Sequence, residues 1–142
     1  MRDRRGVAVI EDLSVLLMAV VSFSLFFASL ATAYALRESR ARGEHLQTEA
    51  DDLLEGMMTD PRWTSGRGLF LAAELQQASA DDVRGRAGPR TFLVVVWDLA
   101  TDDRWIFGDA LGAGDRRIAA TSANVLGAHV DPARVAVTVW ER

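Results

Sequence analysis

Gly6-Val7-Ala8-Val9-Ile10-Glu11-Asp12-Leu13-Ser14-Val15-Leu16 is the stretch on which the reading of this chain turns. Before it lies a short basic leader, Met1 to Gly6, with Arg2, Arg4 and Arg5. After it, the run from Leu13 to Leu36 spans 24 residues without a charge. An acid at the border of a membrane-length apolar segment is costly unless a partner compensates it. If the chain were cut after Gly6, Val7 would become a new amino terminus, and Glu11 would lie about one helical turn away. An α-amine is mostly protonated at neutral pH, so it can neutralise a carboxylate.

The apolar run is long enough to cross a hydrocarbon core of about 30 Å with some tilt. Its strongly polar members are Ser14, Ser22, Ser24, Ser29 and Thr32. Those hydroxyls can bond helix carbonyls and also suit close helix–helix packing. Arg2, Arg4 and Arg5 favour a cytoplasmic amino terminus, an argument weakened by Arg37, Arg40 and Arg42 on the opposite flank. The expected placement is a single-pass protein with the amino terminus inside and the carboxy-terminal part outside.

Beyond the run, no proline intervenes from Arg37 to Met58. Leu46, Ala50, Leu53, Leu54, Met57 and Met58 recur at helical spacing, with Glu38, Arg42, Glu44, Glu49, Asp52 and Glu55 on the other face. Pro61 supplies the stop. Counted from Val7, the helix is expected to run about 50 residues, or about 75 Å. Gly43 is its weak point.

Trp63–Gly68 reads as a turn-rich loop without the ending of a phosphate loop. Leu69–Ala80 reads as a short second helix and Asp81–Pro89 as a loop. Thr91–Leu99, with Val94-Val95-Val96-Trp97 at its centre, is a strand expected to be buried on both faces. Ala100–Asp103 suggests a hairpin loop, Arg104–Phe107 a returning strand, Arg117–Ser122 a third, and Arg134–Trp140 a last. The expected fold class is α+β: a long amino-terminal helix packed on a small antiparallel sheet of three to four strands. The expected division is a leader 1–6, a transmembrane and assembly helix 7–36, and an extracytoplasmic head 37–142 that includes the helix continuation 37–58.

Composition narrows the function classes. At 142 residues the chain holds one small domain and a membrane segment. A net charge of −4 argues against nucleic acid as a partner, because phosphate binding needs a positive surface. With no cysteine, neither disulfides nor thiolate metal sites are available. His45 and His129 stand far apart in sequence, without zinc-ligand spacing. No Gly-x-Ser-x-Gly motif and no Ser/His/Asp set presents a nucleophile, so no enzyme activity, cofactor or metal is expected. Asp98, Asp102 and Asp103 are the best candidates for calcium, but lack the alternating ligand spacing of a calcium loop. Trp63, Trp97, Trp105 and Trp140 read as core or sheet-face packing.

Arg4, Arg5, Gly6, Val7 and Glu11, followed by Leu13–Leu36, resemble the class III signal peptide of type IV prepilins and pseudopilins. That family includes archaeal pilin-like proteins and bacterial tight-adherence pilins. Val7 stands where many bacterial members carry phenylalanine, and Asp12 is a second acid without a family role. The resemblance covers the first quarter of the chain. It implies cutting after Gly6 by a prepilin peptidase on the cytoplasmic side, and retention of the apolar helix. It further implies an assembly motor and platform as partners, and polymerisation with other pilin-like subunits. Val7 of one subunit would then face Glu11 of its neighbour.

Other readings use the same residues. Asp12 can cap the membrane helix, with both acids merely favouring its positive end. Ala33-Tyr34-Ala35 fits a small-x-small signal-peptidase site, which would release a soluble domain. A single-pass anchored binding module that never polymerises is the reading from another functional class.

Overall fold

In a computed structural model of the protein, residues 3–141 are described, with side chains from Leu13 to Glu141. The chain divides into two compact units, Met1–Ala41 and Arg42–Arg142. Helix α1, Asp3–Thr59, contributes to both. It ends just before Asp60-Pro61, where proline removes a helix donor.

In the second unit, α1 is followed by strands β1 (Thr64–Gly66) and β2 (Leu69–Leu71). Helices α2 (Ala72–Gln77) and α3 (Ala80–Ala87) come next, then strands β3 (Thr91–Asp98), β4 (Arg104–Gly108), β5 (Arg116–Leu126) and β6 (Val130–Trp140). The strands form one sheet in the order β1-β2-β5-β6-β3-β4. All neighbours are antiparallel except β2 and β5, which run parallel over Leu69–Leu71 and Asn124–Leu126. The sheet is therefore mixed and six-stranded rather than antiparallel with three to four strands.

The expected amphipathic stripe of α1 is the one that packs. Leu46, Ala50, Leu53, Met57 and Met58 are buried in a common core with Phe92, Val94 and Val96 of β3 and Val135, Val137 and Val139 of β6. Ala119, Ala123 and Val125 of β5 complete that face. Fully buried Ala50 adds no bulk between the helix and the valines of the sheet. At Gly43, a Cβ would collide with the Arg117 guanidinium, so this mid-helix glycine makes room for a side chain from β5. That packing offsets the roughly 1 kcal/mol that glycine costs in a helix.

The opposite sheet face has less cover. Leu93, Val95 and Trp97 of β3 are half-buried, and Ile106 and Ile118 are 62% and 57% exposed. The 109–115 loop lies over Trp140 at one end, with Gly112 against its indole. The expected burial of β3 on both faces thus holds fully for one face and partly for the other.

Three local expectations are corrected. Trp63–Gly68 is not a loop throughout, since Thr64–Gly66 pair with β2 as β1. Leu69–Ala80 is not a continuous helix: Leu69–Leu71 pair as β2, and only Ala72–Gln77 coil as α2. Asp81–Pro89 is not a loop but mostly α3. The helix starts with a capping box between Ser79 and Asp82. The Asp82 carboxylate accepts from the Ser79 amide at 2.8 Å and from the Ser79 hydroxyl at 2.7 Å.

Candidate functional site

The first unit is built by one physical fact, a helix with apolar side chains all round. Leu13, Leu16, Leu17, Met18, Phe23, Leu25, Phe26 and Phe27 are all exposed. A helix of this pattern is stable only inside a lipid core or against other apolar helices. From Leu13 onward α1 is long and apolar enough to cross a membrane, and none of that window is buried within the molecule. A signal sequence meets the same criterion of length and composition. Two hydroxyls within it are satisfied internally: Ser24 donates to the Val20 carbonyl at 2.8 Å and Thr32 to the Ala28 carbonyl at 2.9 Å. Such bonds lower the cost of polar groups in hydrocarbon.

Arg4, Arg5, Gly6, Val7 and Glu11 lie outside the residues whose side chains are described, as does Asp12. The structure therefore places the segment expected to follow them, not the charge pairing itself.

In the second unit the most connected polar group is Asp60, 2% exposed at the end of α1. Arg62 donates to it from Nε, Nη2 and its backbone amide, and Arg86 of α3 donates from Nε at 2.8 Å. The Asp60 carbonyl accepts from the Thr64 amide and hydroxyl. One residue thus joins α1, β1 and α3. The hydrogen bond from Arg62, with the Arg86 charge nearby, lowers the Asp60 pKa to about 2. Because the folded value lies below the ordinary 3.8, the stabilisation is complete above pH 4 and is lost as pH falls toward 2. It amounts to at most about 2 kcal/mol. Asp82, held by Ser79, and Asp102, held by Arg104 and Trp97, shift in the same direction. Thermal melts from pH 5 down to pH 2 should show a steep loss of stability, and Asp60→Asn should flatten that profile.

A second cluster centres on Arg90. Its guanidinium meets Glu49 at 2.9 Å, Glu141 at 3.3 Å and His45 Nε2 at 3.1 Å, tying α1 to the start of β3 and the end of β6. Beside it an open cleft of about 650 Å³ runs between α1 and the 86–90 segment. Both arginines on its walls are already engaged, Arg86 by Asp60 and Arg90 by Glu49.

The calcium candidates are used otherwise. Asp98 Oδ1 accepts from the Ala100 and Thr101 amides, Asp102 Oδ1 from Trp97 Nε1 and Arg104, and Asp103 from the Thr101 hydroxyl. These contacts close the β3–β4 hairpin. Among the described residues, no group of three or more His, Asp or Glu is placed to hold a metal. Trp63 is core, its Nε1 donating to the Met57 carbonyl at 2.9 Å, and Trp97 lies under Arg104.

Sequence reasoning missed the Asp60 hub and the Arg90 cluster. Asp60-Pro61-Arg62 carried a local signal, a carboxylate at a helix stop with an arginine two residues on. Arg86 and Arg90 carried none, since only folding brings them to α1. No family model, curated protein or solved structure matches the chain.

Proposed function

We propose that the chain is a pilin-like or pseudopilin-like structural subunit, processed after Gly6 by a prepilin peptidase and assembled through its amino-terminal helix. Its product is a surface filament or secretion apparatus rather than a chemical reaction. The observation that carries this reading is the division of labour along α1. Its first half exposes apolar side chains on every side, and its second half buries one stripe on a sheet. The leader and the Glu11 register supply the rest of the argument.

In this reading the Val7 ammonium of one subunit neutralises Glu11 of the next. A carboxylate at bilayer depth costs roughly 2.5–3.5 kcal/mol. Relief of that cost only on assembly draws subunits from the membrane into the growing base. The partners are the peptidase, an assembly motor and platform, and sibling subunits.

Mass spectrometry of the amino terminus in the native host tests the reading. Val7 supports it, Met1 or Arg2 indicates an unprocessed anchor, and Leu36 indicates a secreted domain. Glu11→Ala should leave cutting at Gly6 intact and lower assembly about a hundredfold, the equivalent of that insertion cost. Filament yield normalised to processed subunit measures it. An unchanged yield refutes the pairing.

A further inference from the structure

Two strand edges of the sheet have no strand neighbour among the described residues, and their registers fit one another. At one end β4 is the terminal strand, with α3 packed against it and Arg104, Trp105 and Ile106 at least partly exposed. Toward the other end, β5 is covered by β2 only over Asn124–Leu126, so Arg116–Ala123 has no neighbouring strand on that side among the described residues. The Asn124 amide donates outward to the Gly68 carbonyl at 2.8 Å. Backbone groups of alternate residues in a strand point the same way, so Ser122, Ala120 and Ile118 turn their amides and carbonyls to this empty edge. A long edge of that kind is a template for another strand.

The second edge supplies one. Across the sheet, Ala119 aligns through Val137 and Val94 with Phe107, and Ala120 through Ala136 and Val95 with Ile106. Thr121 aligns likewise with Trp105, and Ser122 with Arg104. β4 runs antiparallel to β5, so a second copy displaced sideways in the plane of the sheet brings its β4 to β5 in antiparallel orientation. In the same rows, small Ala119, Ala120, Thr121 and Ser122 then oppose bulky Phe107, Ile106, Trp105 and Arg104. The five residues of β4 fill the span 118–122 and stop short of β2. Arg117 falls opposite Asp109, whose Oδ1 meets Arg84 at 3.2 Å while its buried Oδ2 has no hydrogen-bond partner among the described residues. Exposed Ile106 and Ile118 come together on the less covered face.

We propose that the Arg116–Ala123 edge of one copy takes strand β4 of a second copy, so that the sheet continues from subunit to subunit. The contact is heterologous and therefore repeats without closing unless the rotation forms a ring. It deepens the filament reading, on which it rests for the expectation that many copies meet side by side.

The chain has no cysteine, which makes paired cysteine variants clean probes. Full-length Ala120→Cys and Ile106→Cys variants should form a disulfide-linked dimer when co-expressed in membranes and oxidised. The double variant should give a ladder. Neither single variant alone should cross-link. Cross-linking of Ala120→Cys with itself, or no mixed dimer, overturns the proposal. Ile118→Pro in the double variant removes one outward amide and leaves the β6 ladder intact, so the cross-linked ladder should fall at least about tenfold. An unchanged ladder also overturns it. The amino terminus read in the same sample separates the two ideas. Val7 without a ladder leaves the filament reading standing, and a ladder with Met1 present leaves the edge pairing standing.

Discussion

Gly6→Leu should leave essentially all of the chain with its leader attached, and no assembled product should form. The peptidase implied by the resemblance cuts after a glycine, and a branched side chain there adds bulk at the bond to be broken. Without the cut, Val7 stays in a peptide bond and presents no ammonium. In the proposed reading Glu11 then keeps its full burial cost, and assembly offers no relief. The effect should exceed that of Glu11→Ala, which deletes the acid but leaves a free amine. Intact-mass spectrometry of membrane extracts reads the first step, and sheared surface fractions read the second. Normal processing of Gly6→Leu would remove the basis for the whole reading.

Asp60→Ala should destabilise the head by about 2–3 kcal/mol, because it removes a buried carboxylate whose hydrogen bonds to two half-exposed arginines tie α1 to α3. Arg62 and Arg86 would face each other near the end of α1 without the charge that holds them. A domain of about a hundred residues has a total stability of roughly 5–15 kcal/mol, so the loss is a large share. The melting temperature should fall on the order of 10–20 °C. Circular dichroism of the detergent-solubilised full chain checks this. The apolar first half of α1 makes none of the Asp60 contacts, so helix signal that persists beyond the transition is assigned to it. A shift of only a few degrees would mean that the arginines find water instead and that Asp60 is peripheral.

The α1 stripe, the stop before Pro61 and strands β3, β4 and β6 were legible because each rests on local periodicity. Phe92, Val94 and Val96 alternate with residues facing the other way, and Leu46, Ala50, Leu53 and Met57 return every three or four positions. β5 was seen only in its middle. Arg116–Leu126 is rich in alanine and has little strand preference of its own; pairing along the length of β6 extends it. β2 is three residues long, too short for any periodicity to show. The misreading of α3 has a different cause. Gly85, Gly88 and Pro89 carry loop signals, and the capping box of Ser79 and Asp82 outweighs them by starting the helix.

By itself the sequence determined a chain with one membrane-length apolar helix, an amphipathic continuation and a β-rich remainder. It also placed Arg2, Arg4, Arg5, Gly6 and Glu11 ahead of that helix, since those are matters of order along the chain. Only the tertiary structure decided that six strands form one mixed sheet, that Asp60 and Arg90 are hubs, and that β4 and residues 116–123 of β5 lack a further strand neighbour among the described residues. Such features arise between residues distant in sequence. Their energy comes from burial and pairing that exist only once the chain has closed on itself.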